Sequence, residues 1–141
     1  MRATSDENKA LVREAFEALF NRRDFAAAEA LWSPNYIQHS AHIPPGRDGL
    51  FALVGSFPAS HKREMGAMVA EGDLVMAHGR LWGYAHGQLS RIVVDIVRVE
   101  DGVLAEHWDV IEDEAGRAES RSGLPAFGDV FPEDREAPER K

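Results

Sequence analysis

The chain reads as an α+β domain in which a curved antiparallel sheet wraps around N-terminal helices and encloses a pocket. Two observations predict it. Helical periodicity is confined to the residues up to Phe57, and after Pro58 the chain passes into β-branched and aromatic runs cut by turn dipeptides. Helices first and meander strands afterwards is the order of an α+β layout, and helices laid on the concave face of such a sheet leave a cavity between them.

Each element has its own signal. Ser5 or Asp6 can cap a first helix, in which Leu11, Ala15, Phe16, Leu19 and Phe20 recur at helical spacing. Asn21-Arg22-Arg23 ends it, and Asp24 caps a second, shorter helix through Trp32 that Pro34 stops. YIQHS then reads as a short extended stretch and AHIPPG as a loop. Arg47 to Phe57 forms a third helix with Leu50, Phe51, Leu53 and Val54 apolar. Strands are expected near 62–71, 73–86, 89–99 and 103–112, bounded by Gly72-Asp73, Gly87 and Asp101-Gly102. His61 and His86 fall in turn-like contexts and are expected to be exposed.

From Gly123 onward proline, glycine and charge mix without periodicity. The domain is therefore placed at residues 1–122, with 123–141 a C-terminal extension. A short anchor of Leu124, Phe127, Val130 and Phe131 docks it before the charged last residues fray.

Composition narrows the function classes. The 141 residues are 44% hydrophobic and 28% charged, enough for one domain with a real core. Acidic side chains outnumber basic ones 24 to 16, for a net charge of −8, and no basic stripe offsets them. Nucleic acid and anionic membranes are thus not expected partners. Absence of cysteine excludes disulfides, thiol nucleophiles and thiolate metal sites. No apolar run approaches membrane-spanning length and MRATSDENK lacks a signal-peptide core, so the cytoplasm is the expected compartment. With no Gly-rich phosphate loop, no cofactor is expected.

The turn VEDGV decides which side chains meet. Glu100-Asp101-Gly102 suits a three-residue hairpin loop closed by glycine in the left-handed region. Val99 then faces Val103, and Asp95 falls opposite His107. Alternation puts His107 and Asp109 on one side, so Asp95, His107 and Asp109 share a face. A two-residue Asp-Gly turn would instead pair Asp95 with Trp108 and break the cluster. Two carboxylates and an imidazole on a half-buried face can divide acid and base duty, since their environments push their pKa values apart. The alternative is an inter-strand ion pair with no catalytic duty. Leu104, Trp108 and Val110 occupy the other face and need cover, either by a second subunit packed across the sheet or as plain core.

Other polar candidates are less determined. His39 and His42 form an HxxH pair, but alternation separates them on a strand and no further ligand stands at metal spacing, so no metal site is expected. His78 shares parity with Met76, Arg80, Trp82 and Tyr84, a row that lines either the cavity or the outer face. Phe16, Phe20, Trp32, Tyr36 and Phe51 either wall an apolar chamber or are plain core.

The segments YIQHSAHIPPGRDGL, DIVRVEDGVLAEHWDVIED and SRSGLP resemble the SnoaL-like group of polyketide cyclase and aldol-condensation-type proteins, in the nuclear-transport-factor-2-like superfamily. The resemblance implies a cone-shaped, cystatin-like fold. It gives Asp109 the role of general acid/base and sets Asp95 where those cyclases often carry histidine. It also carries His39 toward the pocket mouth, where it can hold a developing enolate oxygen; the alternative is a surface or capping histidine. The expected activity is cofactor-free cyclase, isomerase or aldol-type lyase chemistry on a small apolar carbonyl compound. His107 and Asp95 would tune Asp109, and Tyr36, Trp32, Phe16, Phe51 and His78 would contact substrate. The expected assembly is a homodimer through the sheet face. The alternative is a non-catalytic hydrophobic-ligand-binding or dimerisation domain.

Overall fold

Thr4, rather than Ser5 or Asp6, starts the first helix. Its hydroxyl accepts the Glu7 N–H while the Glu7 carboxylate accepts the Thr4 N–H, a reciprocal capping box. The computed structural model describes residues 3–85 and 87–135. Helix α1 spans Ser5–Phe16 and continues into one π-helical turn, Glu17–Asn21. There the Asn21 amide brackets the backbone of Arg63, donating to its carbonyl at 3.0 Å and accepting from its N–H at 2.8 Å. Arg23, at φ 56°, turns the chain, and Asp24 caps α2 by accepting from Ala27 N–H.

Helix α2, Phe25–Glu29, is shorter than expected, and Trp32 instead opens strand β1, Trp32–Gln38. Pro34 therefore sits inside a strand and does not mark a helix stop. An edge strand tolerates it because no neighbour needs its missing N–H, and the register with the adjacent strand slips between Trp32 and Ile37. Helix α3 covers Gly46–Ser56.

Strands β2 (Lys62–Glu71), β3 (Leu74–Trp82), β4 (Arg91–Glu100) and β5 (Val103–Asp113) form an antiparallel meander. Strand β1 adds to β5 in parallel, giving the order β1-β5-β4-β3-β2. The helices pack on one face of this open sheet. Val12, Phe16 and Leu19 meet Leu50 and Val54 there, over Trp32, Tyr36, Val75, Val97, Val99 and Leu104. The Phe16 and Trp32 rings stack at 6.3 Å.

The β4–β5 hairpin differs from the expected three-residue loop. Asp101 and Gly102, at φ 54° and 77°, form a two-residue turn and Glu100 faces Val103. Positive φ at both positions matches the twist of the flanking strands. A bulge at Ala105 then shifts the register, so that Val99 faces Leu104 but Arg98 faces Glu106. Two consequences follow. Asp95 lies opposite Asp109, not His107, and Leu104 turns inward into the core at 1% exposure, leaving the outer face to Trp108 and Val110.

At the C-terminal end Phe127 and Phe131 are buried, whereas Leu124 and Val130 are exposed and do not anchor. Phe127 packs against His78 on the outer face and fills space that a Cβ at Gly66 would occupy. Buried Arg80 ties this segment down, donating to the Glu114 carboxylate and to the carbonyls of Phe127 and Val130. The expected exposure of His86 and fraying of the final residues fall outside the described residues. Among the described residues no helix is long and apolar enough to cross a membrane.

Candidate active site

Alternation along β4 and β5 turns Val93, Asp95, His107, Asp109 and Ile111 toward the helices. The cavity between them has a volume of about 240 Å³. Phe16, Phe20, Trp32, Leu50, Leu53, Val54, Phe57 and Leu81 make most of its wall apolar, and Tyr36, Arg63, Asp95, His107 and Asp109 bring polar atoms to it.

These polar groups form a chain of fixed contacts. Arg63 donates from Nη2 and Nε to Asp95 Oδ2 at 2.7 and 3.2 Å. His107 Nε2 meets Asp95 Oδ1 at 2.7 Å, and its Nδ1 meets Gln38 Oε1 at 2.6 Å. Gln38 is oriented independently, because its Oε1 accepts the Ser40 backbone N–H and its Nε2 donates to Tyr36 Oη. Both ring nitrogens of His107 therefore face acceptors, and both contacts are satisfied when both nitrogens carry hydrogen. Burial works to raise the Asp95 pKa, but Arg63 and the His107 contact outweigh it and hold the carboxyl below its ordinary range.

Asp109 stands apart from this chain. It is half-buried, faces the cavity and has no hydrogen-bond or ion-pair partner among the described residues. Tyr36 lies nearby on β1, its oxygen accepting from Gln38 and its pKa pushed up first by burial, so its O–H proton stays on.

The fold thus brings Asp95, His107 and Asp109 together, although through a register different from the expected one. Phe16, Phe20, Trp32 and Tyr36 line the cavity, and Phe16, Trp32 and Tyr36 are at the same time part of the core. Phe51 does not: it packs behind the wall, edge-on to Trp32 and Phe25. His78 lies on the outer face against Phe127. His39 also points away, stacking on Trp108 at 4.8 Å with its Nε2 2.7 Å from Glu106 Oε2. It follows the last residue of β1, and alternation after inward Gln38 sends it outward. His42, three residues on, lines the cavity instead, so the HxxH pair diverges.

Sequence reasoning missed Gln38, Arg63 and His61. Gln38 lay within the quoted YIQH segment, opposite in parity to His39. Arg63 had one signal: Gly79 leaves space in mid-strand, where a Cβ would lie 2.7 Å from the Arg63 guanidinium. His61 was expected to be exposed and is fully buried.

Asp95, His107 and Asp109 place one ligand-type atom each within 4.8 Å of one another. Their chemistry disfavours a cation there. Asp95 is already neutralised by Arg63, and the His107 nitrogens are both committed. A divalent ion would have to displace a guanidinium from a buried carboxylate.

Comparison with known proteins agrees with this architecture. The SnoaL-like domain family model matches residues 12–107. No curated protein sequence matches the chain. A candidate ketosteroid isomerase from Kribbella flavida has a similar structure, with a TM-score of 0.69 at 21% identity over 90% of this chain and 96% of that one. AclR, a candidate hydroxylase from Streptomyces galilaeus, gives 0.64 at 26% identity over 78% and 81%. IdmH, a candidate polyketide cyclase from Streptomyces antibioticus, gives 0.61 at 22% over 74% and 91%.

Proposed function

The chain belongs to the SnoaL-like domain family, and from that premise and the chemistry of its cavity we propose that it is a cofactor-independent acid/base catalyst acting on a small, largely apolar carbonyl compound. One observation carries the proposal. An unpartnered carboxylate, Asp109, sits in an apolar cavity beside a second carboxylate that is fully neutralised. Such an arrangement leaves one group to accept a proton and the other to fix the electrostatics around it.

In the proposed reaction Asp109 takes a proton from the carbon next to the substrate carbonyl. The electron pair moves onto the carbonyl oxygen as the C–H bond breaks. Tyr36 donates its O–H to that developing oxygen, the duty that sequence had assigned to His39. Arg63 and the His107 contact keep Asp95 ionised while the enolate forms. Return of the proton to a different carbon would be isomerisation, and attack of the enolate on a second carbonyl would be cyclisation or aldol chemistry. Similarity to polyketide cyclase and ketosteroid isomerase candidates supports both outcomes equally.

Deuterium incorporation at C2 of 1-tetralone in D₂O tests the reading. Wild-type protein is expected to accelerate it, and Asp109→Asn to return it to the buffer rate with circular dichroism unchanged. An Asp109→Asn variant as fast as wild type overturns the assignment. Binding of the ketone without acceleration by wild type would favour the ligand-binding alternative.

A second copy of this chain is the proposed partner. Ile37, Val69, Met76, Val94 and Val110 are exposed apolar side chains on the outer sheet face, and they support a homodimer packed across it.

A further inference from the structure

His61 is buried, lines the cavity and has no part in the proton transfer just described. Its ring lies against Phe57, with centroids 4.3 Å apart, and edge-on to Tyr84 at 4.6 Å. Neither ring nitrogen has a hydrogen-bond partner among the described residues. Leaving a buried donor and acceptor unpaired opposes folding, so a ligand that pairs them is favoured. The ring cannot easily move to find a partner. The His61 backbone N–H is tied to the Pro58 carbonyl, Ser60 Oγ donates to the Gly83 carbonyl, and a Cβ at Gly83 would lie 2.0 Å from the Ser60 carbonyl oxygen.

The sheet register puts this ring at the other end of the cavity from Asp109. Asp95 faces Asp109, whereas the backbones of Arg63, Leu81 and Arg91 share a row four residues along β4, a rise of about 13 Å, from which the Arg63 side chain reaches back to Asp95. His61 precedes Arg63 by two residues. Val54, Phe57, Leu81 and Val93 give the same cavity apolar wall, and Arg63, Gln88 and Arg91 add polar atoms to it.

We infer that His61 is a second polar subsite of the cavity, which takes a hydroxyl group on the end of the substrate remote from its reacting carbonyl. The inference rests on reading the cavity as a substrate site. Burial, joined by the charges of Arg23 and Lys62, lowers the His61 pKa to about 4, so the ring is neutral. A neutral imidazole offers one N–H and one lone pair. A hydroxyl can satisfy either nitrogen in either tautomer, whereas a carbonyl or a carboxylate can meet only the nitrogen that carries hydrogen. The substrate class is therefore a hydroxylated, largely apolar ketone.

A matched pair of probes decides it: 6-hydroxy-1-tetralone and 1-tetralone, titrated calorimetrically into the wild-type protein and into His61→Phe, which keeps an aromatic ring between Phe57 and Tyr84. The hydroxylated ketone is expected to bind wild type at least about tenfold more tightly, and His61→Phe to erase that preference. Equal affinities for wild type, including no measurable binding of either probe, overturn the inference, as does a preference that survives His61→Phe. A wild-type measurement guards against a misfolded variant. The ¹⁵N ring resonances of His61 are expected to shift with 6-hydroxy-1-tetralone and not with 1-tetralone; shifts of equal size with both overturn it. Asp109→Asn is expected to retain the hydroxyl preference, so the His61 subsite and the proton-transfer reading fail separately.

Discussion

Asp95 and Asp109 face each other directly across the β4–β5 ladder, yet among the described residues only Asp95 has hydrogen-bond or ion-pair partners. Paired carboxylates at this spacing repel, and Arg63 and His107 compensate one of them alone. The two substitutions should therefore separate in stability. Asp95→Asn leaves the buried Arg63 guanidinium without its counter-charge and is expected to cost about 3–5 kcal/mol. Asp109→Asn removes a like charge and no hydrogen bond, and its stability is expected to stay within about 0.5 kcal/mol of wild type. Urea unfolding of both variants measures the difference; equal losses would mean that Asp109 has a structural partner.

Gly79 is the reason Arg63 can reach Asp95. A Cβ there would meet the guanidinium at 2.7 Å, closer than real contacts allow. Gly79→Ala is expected to push Arg63 aside with the strand still paired, since β positions accept alanine. A displacement of this size at a positioning contact costs on the order of 100-fold in rate. The α-proton exchange assay reads it directly, and a variant with wild-type exchange would show that Asp95 is held ionised without Arg63.

The elements of the fold were legible because they rest on local chemistry: apolar spacing in α1, the Asp24 cap, and turn dipeptides between strands. The one-face grouping of Asp95, His107 and Asp109 was legible too, although its basis was not. Sequence offered a three-residue loop; the chain uses a two-residue turn and restores the parity with a bulge at Ala105. Bulges carry no strong local code, so Leu104 was placed on the wrong face. Pro34 misled for a related reason, because a stop signal for a helix is also permitted on an edge strand. Arg63 and His61 were out of reach, since their burial depends on what Gly79, Gly83 and the helices leave open on the far side of the sheet.

The outer face gives a test of assembly. Val110 is 69% exposed beside half-buried Trp108, on the sheet surface that the Phe127 segment leaves uncovered. If a second copy packs there, Val110→Asp places an uncompensated charge in the contact. Wild-type protein is expected to elute from size exclusion with light scattering at twice the chain mass, and Val110→Asp at the chain mass. A monomeric wild type at about 50 µM, a concentration well above a Kd of order 1 µM, would refute the dimer.

The unpartnered imidazole of His61 also predicts a pH dependence of stability. Its pKa falls to about 4 in the folded protein from an ordinary 6.5, through burial and then the charges of Arg23 and Lys62. Between those values the unfolded chain binds a proton that the folded protein does not. Stability is therefore complete above pH 6.5 and falls as the pH drops toward 4, by up to about 1.4 kcal/mol per pH unit. Asp95 acts elsewhere: its pKa is lowered from 3.8, so its contribution is lost only as the pH falls below that value. His61→Phe removes the titrating group and keeps the ring, so the difference between wild type and variant isolates one proton. Urea unfolding at intervals from pH 4.5 to 7 is expected to show that difference growing as the medium is acidified. Parallel curves would mean that His61 is protonated inside the fold, and that its ring nitrogens have found a partner.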